Sequence, residues 1–143
     1  MSATGEAALV LHIDGASRGN PGEAGFGVQA ARADGTVVAE LYGYLGRASN
    51  NVAEYQALIH ALEFARARGA RSVEVRSDSE LVVRQMTGQY RVKHPDMQPL
   101  HRRASELLRG FERGRIAHVR REQNREADRL ANRAVDERAS KLD

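Results

Sequence analysis

Residues 9–22 read Leu9-Val10-Leu11-His12-Ile13-Asp14-Gly15-Ala16-Ser17-Arg18-Gly19-Asn20-Pro21-Gly22. An apolar, strand-prone run ends in a carboxylate, and small, polar and turn-forming residues follow at once. Alternation puts Leu9, Leu11 and Ile13 on one face of a strand and Val10, His12 and Asp14 on the other. A carboxylate at the end of an interior strand is costly to desolvate unless something positive sits beside it. Asp14 therefore either caps a turn or anchors a charged site, and the remaining chain has to decide.

Working outward, the first strand covers about residues 8–14 and is followed by a glycine-rich turn. A second strand is expected over 25–31 and a third over 36–44, with Asp34-Gly35 as the hairpin signal between them. Short connections make these three an antiparallel meander. Ser49-Asn50-Asn51 opens a helix in which Val52, Tyr55, Leu58 or Ile59, Leu62 and Ala65 recur at helical spacing, with Gly69 as its stop. A fourth strand over 72–77 carries Val73 and Val75 on one face and ends at Asp78. A short helix over 79–86 follows, then a connection without period over 89–97. Pro99 starts a helix that ends at Gly110. A fifth strand over 115–119 precedes a final helix over 124–138.

The element order is βββαβααβα. Right-handed crossovers through the intervening helices make strands one, four and five parallel neighbours. The expected fold class is α/β: a five-stranded mixed sheet, a three-strand meander plus two parallel strands, flanked by helices. At 143 residues the chain is expected to be one domain, 1–143, structured over about 8–138 between short tails. A net charge of +3 arises from many arginines set against many carboxylates, which suits a polyanionic partner without requiring one. The chain has no Cys, which excludes disulfides and thiolate metal sites and fits a reducing compartment. Residues 1–6 have no basic region before an apolar run, so neither a signal peptide nor a membrane span is expected, and the cytoplasm is the default location.

Four acids fall where element ends can face one cleft: Asp14, Glu54, Asp78 and Asp128. Each has an ordinary structural role open to it. Glu54 lies three residues after Asn51 and fits a capping box, and Asp78 fits a helix cap. Asp128 lies at helical spacing from Asn124, Arg125, Arg129 and Asn132 and fits a surface ion pair. Together they read differently, because parallel neighbours bring the ends of strands one and four side by side. Ligand sites in open α/β sheets favour those carboxyl ends. Two carboxylates about 4 Å apart repel by roughly 4 kcal/mol at an effective dielectric of about 20, so protons or a hard cation must sit among them. Oxygen donors without thiolates point to Mg²⁺ or Mn²⁺.

Four short stretches carry a resemblance. Residues 14–22 (DGASRGNPG), 50–54 (NNVAE), 78–82 (DSELV) and 124–128 (NREAD) resemble the four motifs of type 1 ribonuclease H, in that family's order. The resemblance extends from about Leu9 to Val135. It implies hydrolysis of the RNA strand of an RNA–DNA hybrid by two metal ions, Mg²⁺ with Mn²⁺ as a substitute, leaving 5′-phosphate and 3′-hydroxyl ends. By motif position Asp14 would bridge both ions. Asp128 would help hold the one on the water side, and Glu54 and Asp78 the one on the leaving-group side. Asn20, Ser49, Asn50 and Glu80 match positions that touch the hybrid near the scissile bond, where contacts to 2′-hydroxyls distinguish RNA from DNA.

The chain departs from the family pattern twice. Many relatives carry a histidine on the loop before the last motif; here the loop is Arg120-Arg121-Glu122-Gln123, and a guanidinium such as Arg121 cannot shuttle protons at neutral pH. The long basic, Trp-rich handle of some members is replaced by a short connection with Tyr90 and Lys93. There Tyr90 has the chemistry to stack on a sugar and Lys93 to meet a phosphate. The expected partner is an RNA–DNA hybrid, with double-stranded RNA as a further candidate, no membrane, and a monomeric protein. A binding module on the same fold and a DNA-cutting relative are the competing readings. Four retained acids argue against the first, and the Asn20, Ser49 and Asn50 set against the second.

Overall fold

The computed structural model describes residues 7–143, so the expectation for residues 1–6 lies outside the described residues. Five strands form one sheet in the order β3-β2-β1-β4-β5. They are β1 (Ala8–Gly19), β2 (Gly22–Arg32), β3 (Val37–Ala48), β4 (Ser72–Ser77) and β5 (Arg113–His118). The helices are α1 (Asn50–Ala67), α2 (Glu80–Met86), α3 (Gln98–Arg109) and α4 (Arg125–Glu137). β1 pairs antiparallel with β2 and parallel with β4, and β4 pairs parallel with β5. The expected order, sheet class and parallel set are all present.

The alternation in the first strand is what divides the molecule into layers. Leu9, Leu11 and Ile13 are at most 2% exposed and join α1 and α3 in the main core through Tyr55, Leu58, Leu62 and Leu107. Burying each such side chain contributes about 1.5–3 kcal/mol. α4 covers the opposite face, where Leu130 and Ala134 pack on Tyr42. Ser49 caps α1 by accepting the Val52 N–H at 3.2 Å, and Gly69 ends it in the left-handed region at φ 77°.

The glycine-rich stretch differs from its expected form. It is not a turn after residue 14: β1 runs on to Gly19, the reversal is confined to Asn20-Pro21, and β2 begins at Gly22. The reason is tertiary. A Cβ on Gly27 would lie 2.6 Å from the Ala131 N of α4, and one on Gly25 2.9 Å from the Ala134 Cβ. Those two glycines, expected in the second strand, are strand residues under a helix backbone, and Gly15 of β1 lies as close to the Ala53 backbone of α1, so the poor strand propensity of the stretch is overruled. Arg18 fastens the far end of the hairpin to α4, meeting Asp136 at 2.7 Å and the Asn132 Oδ1 at 3.2 Å.

The chain past residue 138, expected to trail off as a tail, returns to the edge of β3. Tyr42 and Lys141 exchange backbone hydrogen bonds of 2.9 and 2.7 Å, and the Tyr44 N–H donates to the Ser140 hydroxyl at 2.9 Å. This segment covers part of an edge strand that would otherwise offer unpaired backbone groups. Deleting residues 140–143 is expected to cost about 1.5–4.5 kcal/mol, from three hydrogen bonds worth about 0.5–1.5 kcal/mol each. Thermal melts of the shortened chain against the full one would show a lowered midpoint; an unchanged midpoint would mean that water replaces the strap without loss.

Candidate active site

Each acid is placed by a different element. Asp14 lies inside β1, opposite Gly27 of β2. Ile13 pairs in parallel with Ser77, so Asp14 and Asp78 follow adjacent positions on neighbouring strands. Glu54 reaches them from the second turn of α1. Its Oε1 accepts the Gly15 N–H, a contact made possible because Gly15 has no side chain: a Cβ there would lie 2.5 Å from the Ala53 carbonyl carbon. The capping roles open to these acids go elsewhere. Ser49 caps α1 and Ser79 caps α2, each accepting a backbone N–H with its hydroxyl.

Carboxylate oxygens of Asp14, Glu54 and Asp78 lie within 4.8 Å of one another. Asp14 and Glu54 are buried, 6% and 2% exposed, and Asp78 is half-buried. Asp128, exposed in the first turn of α4, is not among these three but is near enough to help raise the pKa of Asp14. Its carboxylate accepts from the Asn132 Nδ2 at 3.3 Å. Burial pushes the Asp14 carboxyl far above the usual carboxylate range, and the charges of Glu54 and Asp78 push it further. Glu54 is raised by burial and by Asp78, against the opposing pull of its hydrogen bonds with Asp14 and Gly15 and of the nearby Arg121 guanidinium. Fully ionised, the group would carry more negative charge than its surroundings neutralise, so protons or a cation must sit among the acids. All-oxygen, carboxylate-rich donors at this spacing fit a hard divalent cation.

The remaining sequence candidates are spread more widely. The Asn20 Oδ1 accepts the Asn50 N–H at 3.0 Å, which ties the β1–β2 reversal to the start of α1. Asn20 and Ser49 line a cleft of about 880 Å³ together with Arg47 and residues 94–96, while Asn50 is exposed at its side. Glu80 is exposed and ion-paired with Arg84 at 2.9 Å. Tyr90 is 47% exposed and lies under the Arg84 guanidinium, 5.4 Å from ring centre to carbon. Lys93 is exposed on the α2–α3 connection. Arg121 sits in a 3₁₀ turn before α4 and is the basic group near Glu54. His12 is not in the carboxylate group. It is half-buried, and burial followed by the Arg76 charge lowers its pKa, so its neutral form is favoured.

Sequence reasoning passed over two residues that tie this site together. Arg18 was visible as an isolated charge among glycines, but its partners on α4 are distant in sequence. Asn124 carried the ordinary signal of a helix start, yet its side chain makes no capping bond.

Comparison with known proteins covers most of the chain. Residues 12–134 match the family model described as "Reverse transcriptase-like". A ribonuclease HI of Halobacterium salinarum is 49% identical over 126 residues, covering 88% of this chain and 63% of that protein. The crystal structure of the RNase H1 of that archaeon superposes with a TM-score of 0.88 at 48% identity, covering 91% of this chain and 98% of that one. A bifunctional protein of Mycobacterium tuberculosis is 49% identical over 90% of this chain but only 35% of its own length. A crystal structure of LC11-RNase H1 in complex with RNA/DNA hybrid has a TM-score of 0.86 at 40% identity, covering 91% of this chain and 98% of that one. The chain thus spans about one third to two thirds of the length of the first two curated relatives.

Proposed function

The chain belongs to the type 1 ribonuclease H family, and from that premise we propose that it is an endoribonuclease that hydrolyses the RNA strand of RNA–DNA hybrids. The observation that carries this reading is the group of three carboxylates within 4.8 Å at the ends of adjacent parallel strands, with Asp128 beside it. A protein that only gripped nucleic acid would gain nothing from buried acids that repel one another. A relative of the same length of fold, LC11-RNase H1, has been crystallised in complex with RNA/DNA hybrid, which supports the choice of substrate.

The proposed site holds two divalent cations, Mg²⁺ or in its place Mn²⁺, on Asp14, Glu54, Asp78 and Asp128. Bound there, such a pair lowers the pKa of water and neutralises charge gathering on the attacking and leaving oxygens of an in-line displacement. The protein residues supply position. Asp14, central to the group, faces both halves of the site. Glu54 and Asp78 serve the leaving-group side, and Asp128, at the open edge, serves the water side. Arg121 adds positive charge near the scissile phosphate but, staying protonated at neutral pH, shuttles no proton, so proton transfer is left to solvent. Asn20, Ser49 and Asn50, with Glu80, lie on the RNA side, and Tyr90 and Lys93 meet the DNA strand. The products carry 5′-phosphate and 3′-hydroxyl ends. We further propose a monomer acting in the cytoplasm; no helix among the described residues is long and apolar enough to cross a membrane.

The test is cleavage of end-labelled RNA–DNA hybrid, duplex RNA and duplex DNA, each with Mg²⁺, Mn²⁺ or EDTA. Cutting of the hybrid's RNA strand alone, abolished by EDTA, is the expected result. Cutting of duplex RNA at a comparable rate would widen the substrate class. Tight hybrid binding without metal-dependent cutting would overturn the enzyme reading and leave a binding module.

A further inference from the structure

Asn124 immediately precedes α4 and is 1% exposed. An Asn at this position normally turns its side chain back to cap the helix. Here it does not. Its Nδ2 donates instead to the Ile13 carbonyl at 2.8 Å and reaches the Asp78 Oδ2 at 3.5 Å. Its own backbone carbonyl accepts the Asp128 N–H at 3.2 Å. One residue therefore touches the peptide that carries Asp14, the carboxylate of Asp78 and the backbone of Asp128, which arrive on three separate elements.

The orientation of the amide is fixed by its partners. The Ile13 carbonyl and the Asp78 carboxylate are both acceptors, so only the NH₂ side of the amide can face them. The Oδ1 is left buried without a hydrogen-bond partner, a cost the site bears to keep the amide turned this way. Neither helix capping nor general polarity explains a buried amide that forgoes its cap and strands its oxygen.

We infer that Asn124 is a positioning residue: its amide clamps the end of β1 against α4 and Asp78, and so sets the spacing at which Asp14, Asp78 and Asp128 present their oxygens to a divalent cation. The inference rests on the proposed function. It concerns geometry behind the acids, as Asn124 itself does not reach the substrate. Removing an outer partner of this kind typically weakens metal binding or activity by about 10–100-fold.

Two substitutions separate a clamp from a cap. Asn124→Ala removes both possibilities. Asn124→Ser removes the reach to Ile13 and Asp78 but keeps a side chain well suited to capping α4. The measurements are Mn²⁺ affinity by calorimetry on the metal-free full chain, the melting midpoint, and kcat and KM on hybrid at saturating metal. The expected result is Mn²⁺ binding weakened at least about 10-fold in both variants, kcat lowered and hybrid KM within about twofold of wild type. The Ser variant should leave Mn²⁺ affinity as low as in the Ala variant, whatever a new cap on α4 returns to the midpoint. Recovery of Mn²⁺ affinity in the Ser variant, or wild-type Mn²⁺ affinity in both variants, would overturn the inference alone. Failure of the wild-type protein to bind Mn²⁺ or to cut hybrid would overturn the preceding reading together with it.

Discussion

Asp14→Asn is expected to abolish hybrid cleavage, by a factor on the order of 10³ or more, well beyond the roughly 10–100-fold cost of losing an outer partner. The substitution keeps shape and removes one negative charge from the centre of the site. It also makes a prediction about stability that a generic loss of function does not. Without metal, the folded protein holds a proton on Asp14, because burial and the neighbouring Glu54 and Asp78 raise its pKa. The unfolded chain releases that proton near pH ~3.9. A folded value above the unfolded one means that the contribution to stability is complete below pH ~4 and is lost as pH rises toward the folded value. The loss is about 1.4 kcal/mol per pH unit for each proton so held. Glu54 acts in the same direction.

The metal-free wild type should therefore lose melting temperature steadily from pH 5 to pH 8, and Asp14→Asn should lose it less steeply. Added Mg²⁺ should raise the wild-type midpoint, and raise it more at pH 8 than at pH 5, since the cation takes the place of protons. Parallel pH profiles for the two metal-free proteins would show that the acids are ionised without metal and that something else in the fold neutralises them. Cleavage surviving in the variant would remove Asp14 from the centre of the chemistry.

How much of this was legible in the sequence depends on whether the signal was local. Alternation of Leu9, Leu11 and Ile13 is local, and it correctly gave the buried face of β1 and, with the crossover rule, the neighbourhood of Asp14 and Asp78. The helix stop at Gly69 and the start near Pro99 were also local signals. The strand role of Gly15 was not, because its turn-like surroundings hide a helix lying on the strand, and its contact partner Ala53 stands far along the chain. Glu54 looked like part of a capping box counted from Asn51, but the cap is Ser49, and that shift of two residues frees Glu54 for Gly15. The docking of residues 140–143 on β3 left no pattern at all, being made mostly of backbone hydrogen bonds. Asn124 shows the same limit from the other side, because its local signal as a cap was clear and the structure uses it for something else.

Gly15→Ala tests that dependence of the site on a missing side chain, and it should damage fold and chemistry together. The new Cβ would meet the Ala53 carbonyl carbon at 2.5 Å and the Ala53 Cβ at 2.9 Å, and would overlap the Glu54 N. The contacts are with helix backbone, which cannot swing aside as a side chain would, so α1 must retreat from β1. Overpacking of this kind costs about 1–3 kcal/mol or more. For a domain of this size that lowers the melting midpoint by several degrees, on the order of 2–4 °C per kcal/mol. The retreat also draws Glu54 away from the Gly15 N–H and from Asp14 and Asp78, so Mn²⁺ affinity should fall along with stability. Gly35→Ala supplies the comparison: Gly35 has φ 93° but open space around its Cβ position. It should cost only the backbone strain of the left-handed region, about 1–2 kcal/mol, and leave Mn²⁺ affinity unchanged. If both variants lost stability and neither lost Mn²⁺ affinity, the position of Glu54 would not depend on how closely α1 lies against β1. The charge of the site would then be set independently of the missing side chain at Gly15.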